Sequence, residues 1–219
     1  MSASTLPRIL ILGAGFAGHT AALHLSHLVS GKAEVTVVAP GNRFTWFPSL
    51  IWVGTGTMSE EAVQFELAPV YEKLGFEYVN ARAQTIAPDD RWVEVQSADG
   101  QTRRIAYDYL INATGPYLNF EGTPGLGPAA GHTQSVCSVD HAVAARAAYI
   151  ESIARMRKGQ RQRLVIGVGH PAATCEGAAF EYLMNVDADL RNRGLRDKAD
   201  LIWLSNEPEP GDFGVDGVE

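Results

Sequence analysis

The sequence predicts an α/β fold, and three observations predict it. An apolar run at residues 9–12 leads straight into Gly13, Gly15 and Gly18, and a small-residue, helix-permissive segment follows at 17–28. A β-rich run at 34–38 stands where the return strand of a β-α-β unit belongs. The order then recurs near the C-terminus: a strand at 164–166, a turn at 167–172, a helix at 173–194 and a strand at 201–205.

The first turn has the spacing G-x-G-x-x-G, and each glycine has a separate task. Gly13 permits the turn, Gly15 lets a pyrophosphate approach the backbone, and Gly18 lets the helix pack close to the strand. Phe16 and Ala17 then fall in the first helical turn, whose N–H groups and positive dipole end face the phosphates. Strand, turn, helix and return strand together predict a Rossmann-like dinucleotide site. The return strand ends at Ala39, followed by Pro40, Gly41, Asn42 and Arg43. An Asp or Glu usually holds a ribose hydroxyl there. Here that contact falls to Asn42, to backbone, or to nothing.

The totals bound the function. A chain of 219 residues suffices for one large or two small domains, with 46% hydrophobic and 20% charged residues. The net charge of −7 argues against nucleic acid and does not favour anionic membrane surfaces. No run approaches the roughly 20 apolar residues of a membrane span. The run at 9–12 is too short for a signal-peptide core and ends in the glycine turn, so a cytoplasmic start is expected. His24 and His27 read as helix-surface residues, and no metal site is expected.

Between the two glycine turns the chain reads as follows. Residues 44–56, FTWFPSLIWVGTG, form an aromatic loop punctuated by Pro48, Gly54 and Gly56. Such a loop either fills a core or packs against a flat aromatic ligand. A helix is expected at 60–73 with Pro69 at or near a break. Short strands are expected at 76–80 and 85–86, with a hairpin of 91–96 and 102–106 around Ser97, Ala98, Asp99 and Gly100. A strand at 107–111 runs into Asn112, Ala113, Thr114, Gly115 and Pro116. Residues 120–132 carry four glycines and two prolines, which marks a crossover between domains. A helix follows at 139–157 with Ser138 as N-cap, and its basic end (155–163) reads as a solvated helix terminus. The division expected is 1–120 for the first dinucleotide-binding domain and 121–219 for an incomplete second one.

Two cysteines are too few for a disulfide scaffold. Cys137 precedes the helix at 139, and Cys175 falls in the first turn of the helix after the second glycine turn. A helix N-terminus favours the thiolate, which is the nucleophile. Two cysteines placed alike by unrelated segments favour reactive thiols over buried inert ones. His141 and Glu181 follow them by four and six residues. Either can move protons or serve as a structural hydrogen-bonding group.

These segments resemble the two-dinucleotide-domain flavoproteins, and among them the sulfide:quinone oxidoreductases. GAGFAG resembles the FAD turn of that family. INATGP, with Ala113, Thr114 and Gly115, resembles the strand end that returns to the flavin, and residues 44–56 resemble the loop beside its ring system. TQSVCSVDHA and TCEGAAFEYLM are similar to the segments carrying two of the family's redox cysteines, and RNRGLRDKADLIWLSNEPEPG continues the likeness. The resemblance implies FAD as cofactor, with Ala39, Asn42, Arg43, Pro48 and Ala83 joining the glycine turn and the Ala113–Gly115 strand end in holding it. Catalysis is implied for Cys175 as bridge cysteine and Cys137 as the second, with His141 and Glu181 as proton carriers. Sulfide attacks a cysteine bridge, the electrons pass to FAD, and a quinone takes them up.

Family members are about twice as long. The resemblance therefore places a third cysteine, the last flavin contacts and a peripheral, membrane-docking quinone region outside these residues, and admits a homo-oligomer. The second turn contains His170 and Pro171 and ends in Ala172 rather than Gly, and the resemblance implies that it does not hold NAD(H), because Cys175 occupies the region where a nicotinamide would act. Two other readings stay open. One is a type II NADH:quinone oxidoreductase, with Gly167 and Gly169 in an NADH site. The other is a truncated, non-catalytic flavin-binding module.

Overall fold

A computed structural model describes residues 6–170 and 176–205. The elements run, in order, β1 (Arg8–Leu12), α1 (Phe16–Leu28), β2 (Glu34–Ala39), β3 (Arg43–Thr45), α2 (Leu50–Thr55), β4 (Gln64–Glu66), α3 (Ala68–Leu74), β5 (Glu77–Ala87), β6 (Trp92–Ser97), β7 (Thr102–Ala106), β8 (Tyr109–Asn112), α4 (Val139–Arg157), β9 (Gln162–Gly167), α5 (Glu176–Asn192) and β10 (Ala199–Leu204). They form two compact units. One joins Met1–Thr45 to Gln64–Tyr117, and the other joins Trp46–Val63 to Leu118–Glu219. The segment Trp46–Val63, counted with the first domain on sequence, thus packs with the second unit.

The first unit is built on a six-stranded sheet in the order β7-β6-β5-β2-β1-β8. β1 runs parallel to both neighbours, with Ile11 beside Val37 on one side and Ile111 on the other. From Ile9 to Leu12 it is apolar because both faces are covered. Successive side chains alternate. Ile9 and Ile11 therefore join Val35, Val37, Phe44, Leu67, Tyr71 and Ala22. Leu10 and Leu12 join Val38, Val79, Val93, Val95 and Tyr107 on the opposite face. β1 lies where the strand order reverses, between β2 and β8, which is where ligands bind in open α/β sheets.

Three expectations are corrected. The two short strands at 76–80 and 85–86 are one strand, β5. It pairs with β2 at one end and β6 at the other, and the register shifts between Ala83 and Thr85. Outward-facing Asn80, Arg82 and Gln84 gave the impression of a break. The helix expected at 60–73 is a 3₁₀ turn at Glu61–Val63, then β4 paired antiparallel with β3, then α3. Pro69 sits in the first turn of α3, where its missing N–H costs nothing. The aromatic loop at 44–56 contains β3, a 3₁₀ turn at Phe47–Ser49 and the helix α2.

In the second unit β9 and β10 pair in parallel. Leu164, Ile166 and Leu201 turn inward onto Tyr149, Ile153 and Met156 of α4 and Val186 and Leu190 of α5. Ser138 caps α4 as expected, its hydroxyl accepting from His141 N at 3.3 Å. α2 buries Leu50 and Val53 against Ala142 of α4. Gly54 is needed for this packing. A Cβ there would lie 2.8 Å from Val136 Cγ1 and 3.0 Å from a Tyr182 ring carbon.

Two outcomes follow from these contacts. Gly54→Ala overfills a closed space and should destabilise the protein by about 1–3 kcal/mol, read from a urea denaturation curve. The second concerns Asp108, which ties the start of β8 to β1. It accepts from Arg8 N at 2.8 Å and from the Arg8 guanidinium at 3.1 Å. The Arg8 side chain, then its backbone N–H, pulls the carboxyl down to about 2. A depressed carboxylate stabilises the fold above its unfolded value of about 3.9 and loses that contribution as pH falls through its folded one. Asp108→Asn should therefore flatten the acid side of the stability profile between about pH 4 and pH 2, and urea midpoints measured across that range check it.

Candidate functional site

The three glycines of the first turn meet three different surroundings. Gly13 has φ +95°, donates its N–H to Val38 O at 2.7 Å, and would place a Cβ 2.1 Å from Ala113 O. Gly18 would place one 1.9 Å from Gly13 O and 3.4 Å from the Ala113 side chain. Both positions are closed by the protein's own backbone. A Cβ on Gly15 would meet nothing within 4 Å. Gly15 is the N-cap of α1, with no capping side chain and no acidic residue in the following turn. Gly15, Phe16 and Ala17 are exposed. An open glycine at an uncapped helix start supplies directed N–H donors and a positive dipole end, which suits a diphosphate.

The strand ends beside this turn are fixed by side-chain amides. β8 leads into Ala113, whose N–H bonds Leu12 O at 2.8 Å. Asn112 Oδ1 accepts from Thr114 Oγ1 at 3.0 Å and from Thr114 N at 3.3 Å, and Gly115 follows with φ +75°. The A-T-G strand end and the glycine turn, a hundred residues apart in sequence, are thus in contact. At the end of β2, Ala39 is buried beside Asn80 of β5. Asn80 Oδ1 accepts from Gly41 N at 2.7 Å, and Tyr78 donates its hydroxyl to Gly41 O. Asn42 Oδ1 accepts from Ala68 N at 2.9 Å, so the one polar acceptor expected near a ribose caps α3. Arg43 reaches Gln64 Oε1 at 3.4 Å. A cleft of about 190 Å³ opens here, lined by Pro40, Gly41, Asn80, Arg82, Gln96 and Ser97. Ala83 pairs with Val95 in the adjoining stretch of β5 and β6. The structural amides Asn80 and Asn112 were not singled out on sequence. Asn112, standing directly before Ala-Thr-Gly, is the readable signal, since Asn bonds its own backbone two residues on.

The second unit holds the reactive candidates. Cys137 is exposed, and its N–H bonds Ser135 Oγ at 3.1 Å, directly before the Ser138 cap of α4. His141 lies one turn on, edge-on to the Phe120 ring at 5.6 Å. Its Nδ1 is buried with no hydrogen-bond partner among the described residues. Glu181 on α5 is exposed, and its carbonyl accepts from Asn185 Nδ2 at 2.9 Å. The neighbouring Tyr182 donates to Gly54 O at 3.2 Å, and Trp52 Nε1 donates to Asn185 Oδ1 at 3.1 Å. Val136, beside Cys137, reaches the same glycine of α2. Pro48 is exposed in the Phe47–Ser49 turn, next to half-exposed Trp46 and Phe47. Cys175, Pro171 and Ala172 lie outside the described residues. No cluster of metal-ligating side chains occurs among the described residues, and none of their helices is long and apolar enough to cross a membrane.

The chain was compared with known proteins. The family model for pyridine nucleotide-disulphide oxidoreductase matches residues 7–188. The sulfide-quinone reductase of Aquifex aeolicus is 30% identical over 96% of this chain and 45% of its own length. The X-ray structure of that bacterium's sulfide:quinone oxidoreductase superposes with a TM-score of 0.84 at 29% identity, covering 95% of this chain and 45% of the other. A mitochondrial external alternative NAD(P)H-ubiquinone oxidoreductase of Arabidopsis thaliana is 30% identical over 54% of this chain and 21% of its own length. The chain spans about half the length of the sulfide-quinone reductases it matches. It belongs to the pyridine nucleotide-disulphide oxidoreductase family, whose members of this kind are FAD-binding flavoproteins.

Proposed function

We propose that this chain is part of an FAD-dependent enzyme that oxidises sulfide and passes the electrons to a membrane quinone. One observation supports this most. Sequence similarity to a sulfide-quinone reductase runs through nearly the whole chain, whereas sequence similarity to an NAD(P)H-ubiquinone oxidoreductase covers about half of it. The enzyme is taken to be cytoplasmic and to meet its quinone peripherally at the membrane.

Bound FAD supplies a two-electron acceptor that a quinone can reoxidise. Gly13, Gly15, Phe16, Ala17 and Gly18 are assigned to its pyrophosphate, and Ala39, Asn42, Arg43 and Ala83 to its nucleotide end. Ala113, Thr114 and Gly115 are assigned to its ring end. The residues of the chain do the rest. Cys175 is the bridge sulfur that sulfide attacks; the bridge S–S bond breaks and the partner cysteine leaves as a thiolate, and Cys137 is the second, exposed thiol. The sulfur of sulfide gives up two electrons and stays on the cysteine in the zero-valent state; the quinone takes those electrons with two protons and leaves as quinol. His141 can hold a proton at its buried Nδ1, and exposed Glu181 can exchange one with water.

Two tests separate the parts of this proposal. Gly15→Val fills a space the fold leaves open, so the protein should stay folded but purify without the yellow flavin absorbance. A variant as yellow as the parent would remove this turn from the FAD site. Cys175→Ala in the full-length protein should abolish sulfide-dependent flavin reduction while FAD stays bound. Cys137→Ala should slow that step less. Anaerobic stopped-flow mixing with sulfide measures both, and a parental rate in the Cys175 variant would sink the catalytic assignment.

A further inference from the structure

The strand end after β2 lacks the acid that holds a ribose hydroxyl in other dinucleotide sites, and side chains grip its loop from two sides instead. Asn80 Oδ1 accepts from Gly41 N at 2.7 Å. The Tyr78 hydroxyl donates to Gly41 O, with Ala39 O at 3.4 Å. Both backbone groups of Gly41 are thus satisfied by side chains of β5. Asn42 is held from α3: its side-chain oxygen accepts from Ala68 N at 2.9 Å, and its carbonyl from Leu67 N at 2.9 Å. Gly41 also lines the cleft shared with Asn80, Arg82 and Gln96, where the described residues bring amides, a hydroxyl and a guanidinium but no carboxylate.

Behind this grip a line of rings runs back to α1. Tyr78 stacks on Tyr71 of α3, with ring centroids 5.4 Å apart. Tyr71 is fully buried, and its hydroxyl meets His19 Nδ1 at 3.1 Å. For that buried hydroxyl to donate, Nδ1 must be the bare nitrogen of a neutral ring, with the proton on Nε2. The His19 ring is fixed by Phe44 and Phe65 at 5.3 and 5.6 Å, and its backbone N–H donates to Gly15 O at 2.8 Å. The line therefore starts one turn from the open glycine and ends at the loop after β2.

The groups that face His19 are uncharged: Phe44 from β3, Phe65 from β4 and Tyr71 from α3, whose hydroxyl is pushed up to about 12 by burial. Arg43 and Glu66 pair on the opposite face of the β3-β4 ribbon. Glu72 and Lys73 of α3 and His24 and His27 of α1 are exposed. Burial alone moves His19, and it moves it down from the usual 6.5. A proton on Nδ1 would leave the Tyr71 O–H buried without an acceptor.

We propose that His19, Tyr71 and Tyr78 form a positioning relay for FAD, fixing the loop after β2 relative to α1. Preorganisation of that loop then replaces the missing carboxylate on the ribose. The inference rests on the reading that the nucleotide end of FAD lies beside Ala39 and Asn42. The relay works with neutral His19 and fails when the ring is charged.

The test titrates deflavinated full-length protein with FAD by calorimetry, with melting temperature as the control of folding. Tyr78→Phe keeps the ring stack and loses the bond to Gly41 O. Its Kd for FAD should rise about 3- to 10-fold, and so should the inhibition constant of ADP, which carries the nucleotide end without the flavin. A loss for FAD without one for ADP overturns the relay, as does an unchanged Kd for both. His19 supplies a readout that packing alone does not move. A group held below its ordinary pKa contributes above that value and loses the contribution as pH falls, so the parent should lose about 3- to 10-fold in FAD affinity between about pH 7.5 and about pH 5. His19→Asn offers Tyr71 an acceptor that does not titrate, and should bind FAD like the parent at the higher pH and keep that affinity at the lower one. His19→Phe fills the space without an acceptor and should bind weakly at both. A parent without pH dependence, or a folded His19→Asn variant that keeps it, overturns the proposal. Where His19→Asn fails to fold, the Tyr78→Phe titrations decide. Gly15→Val reports separately on the glycine turn. If it keeps FAD while Tyr78→Phe loses affinity, the turn assignment falls and the relay stands; the opposite pattern sinks the relay and leaves the turn.

Discussion

The first unit depends on a contact that involves almost no side chain. Gly13, Gly18 and Ala113 bring the turn after β1, the first turn of α1 and the end of β8 within van der Waals reach of one another. A methyl group at Gly13 or Gly18 would lie inside a carbonyl oxygen. This closeness lets α1 start immediately after the turn, against the end of β8. It also explains why the strand end opposite carries Ala113. The spacing G-x-G-x-x-G is thus a record of backbone clearance: two glycines are required by the protein's own backbone, and the third, Gly15, faces open space.

How much of this was legible depended on whether the cause was local. β1, β2, α4 and the Ser138 cap are set by nearby residues: apolar runs, a helical composition, a capping hydroxyl. They were read within a residue or two. β5 was split in two because its outer face carries Asn80, Arg82 and Gln84 and its register shifts near Ala83. That strand holds together through pairing with β2 and β6, which no short window contains. β4 was read as helix for the same reason, since its partner β3 lies some twenty residues upstream. The helix α2 was hidden inside an aromatic run whose burial comes from α4.

The site followed the same rule. Gly13, Gly15, Gly18 and the Ala113–Gly115 strand end could each be picked out, but their contact follows from the sheet order, which brings β8 next to β1. Asn42 could be named as a polar residue near the nucleotide end. That its oxygen caps α3 requires knowing that Ala68 returns there. The cysteine segments were visible from their position before helices and from family resemblance. The packing that supports them on α2 was not visible, because Gly54 looked like loop punctuation and Tyr182 like one aromatic among many.

The two glycine turns show why spacing alone is weak evidence for a ligand. Gly13 needs glycine twice over, for its positive φ and for the Ala113 carbonyl. Gly167 needs it only for the Leu204 carbonyl, since positive φ is not required there. Gly15 faces open space, while Gly169 faces a leucine. Identical residues at identical spacing thus answer different constraints. The two turns differ in whether the protein fills the space beside the second glycine, and in the charge in the first turn of the helix that follows. At α1 that start carries no acid; at α5 it carries Glu176, already bonded within the fold. The clearance at the strand end recurs in both places, because Gly13 and Gly167 each admit a neighbouring strand's carbonyl where a side chain would collide with it.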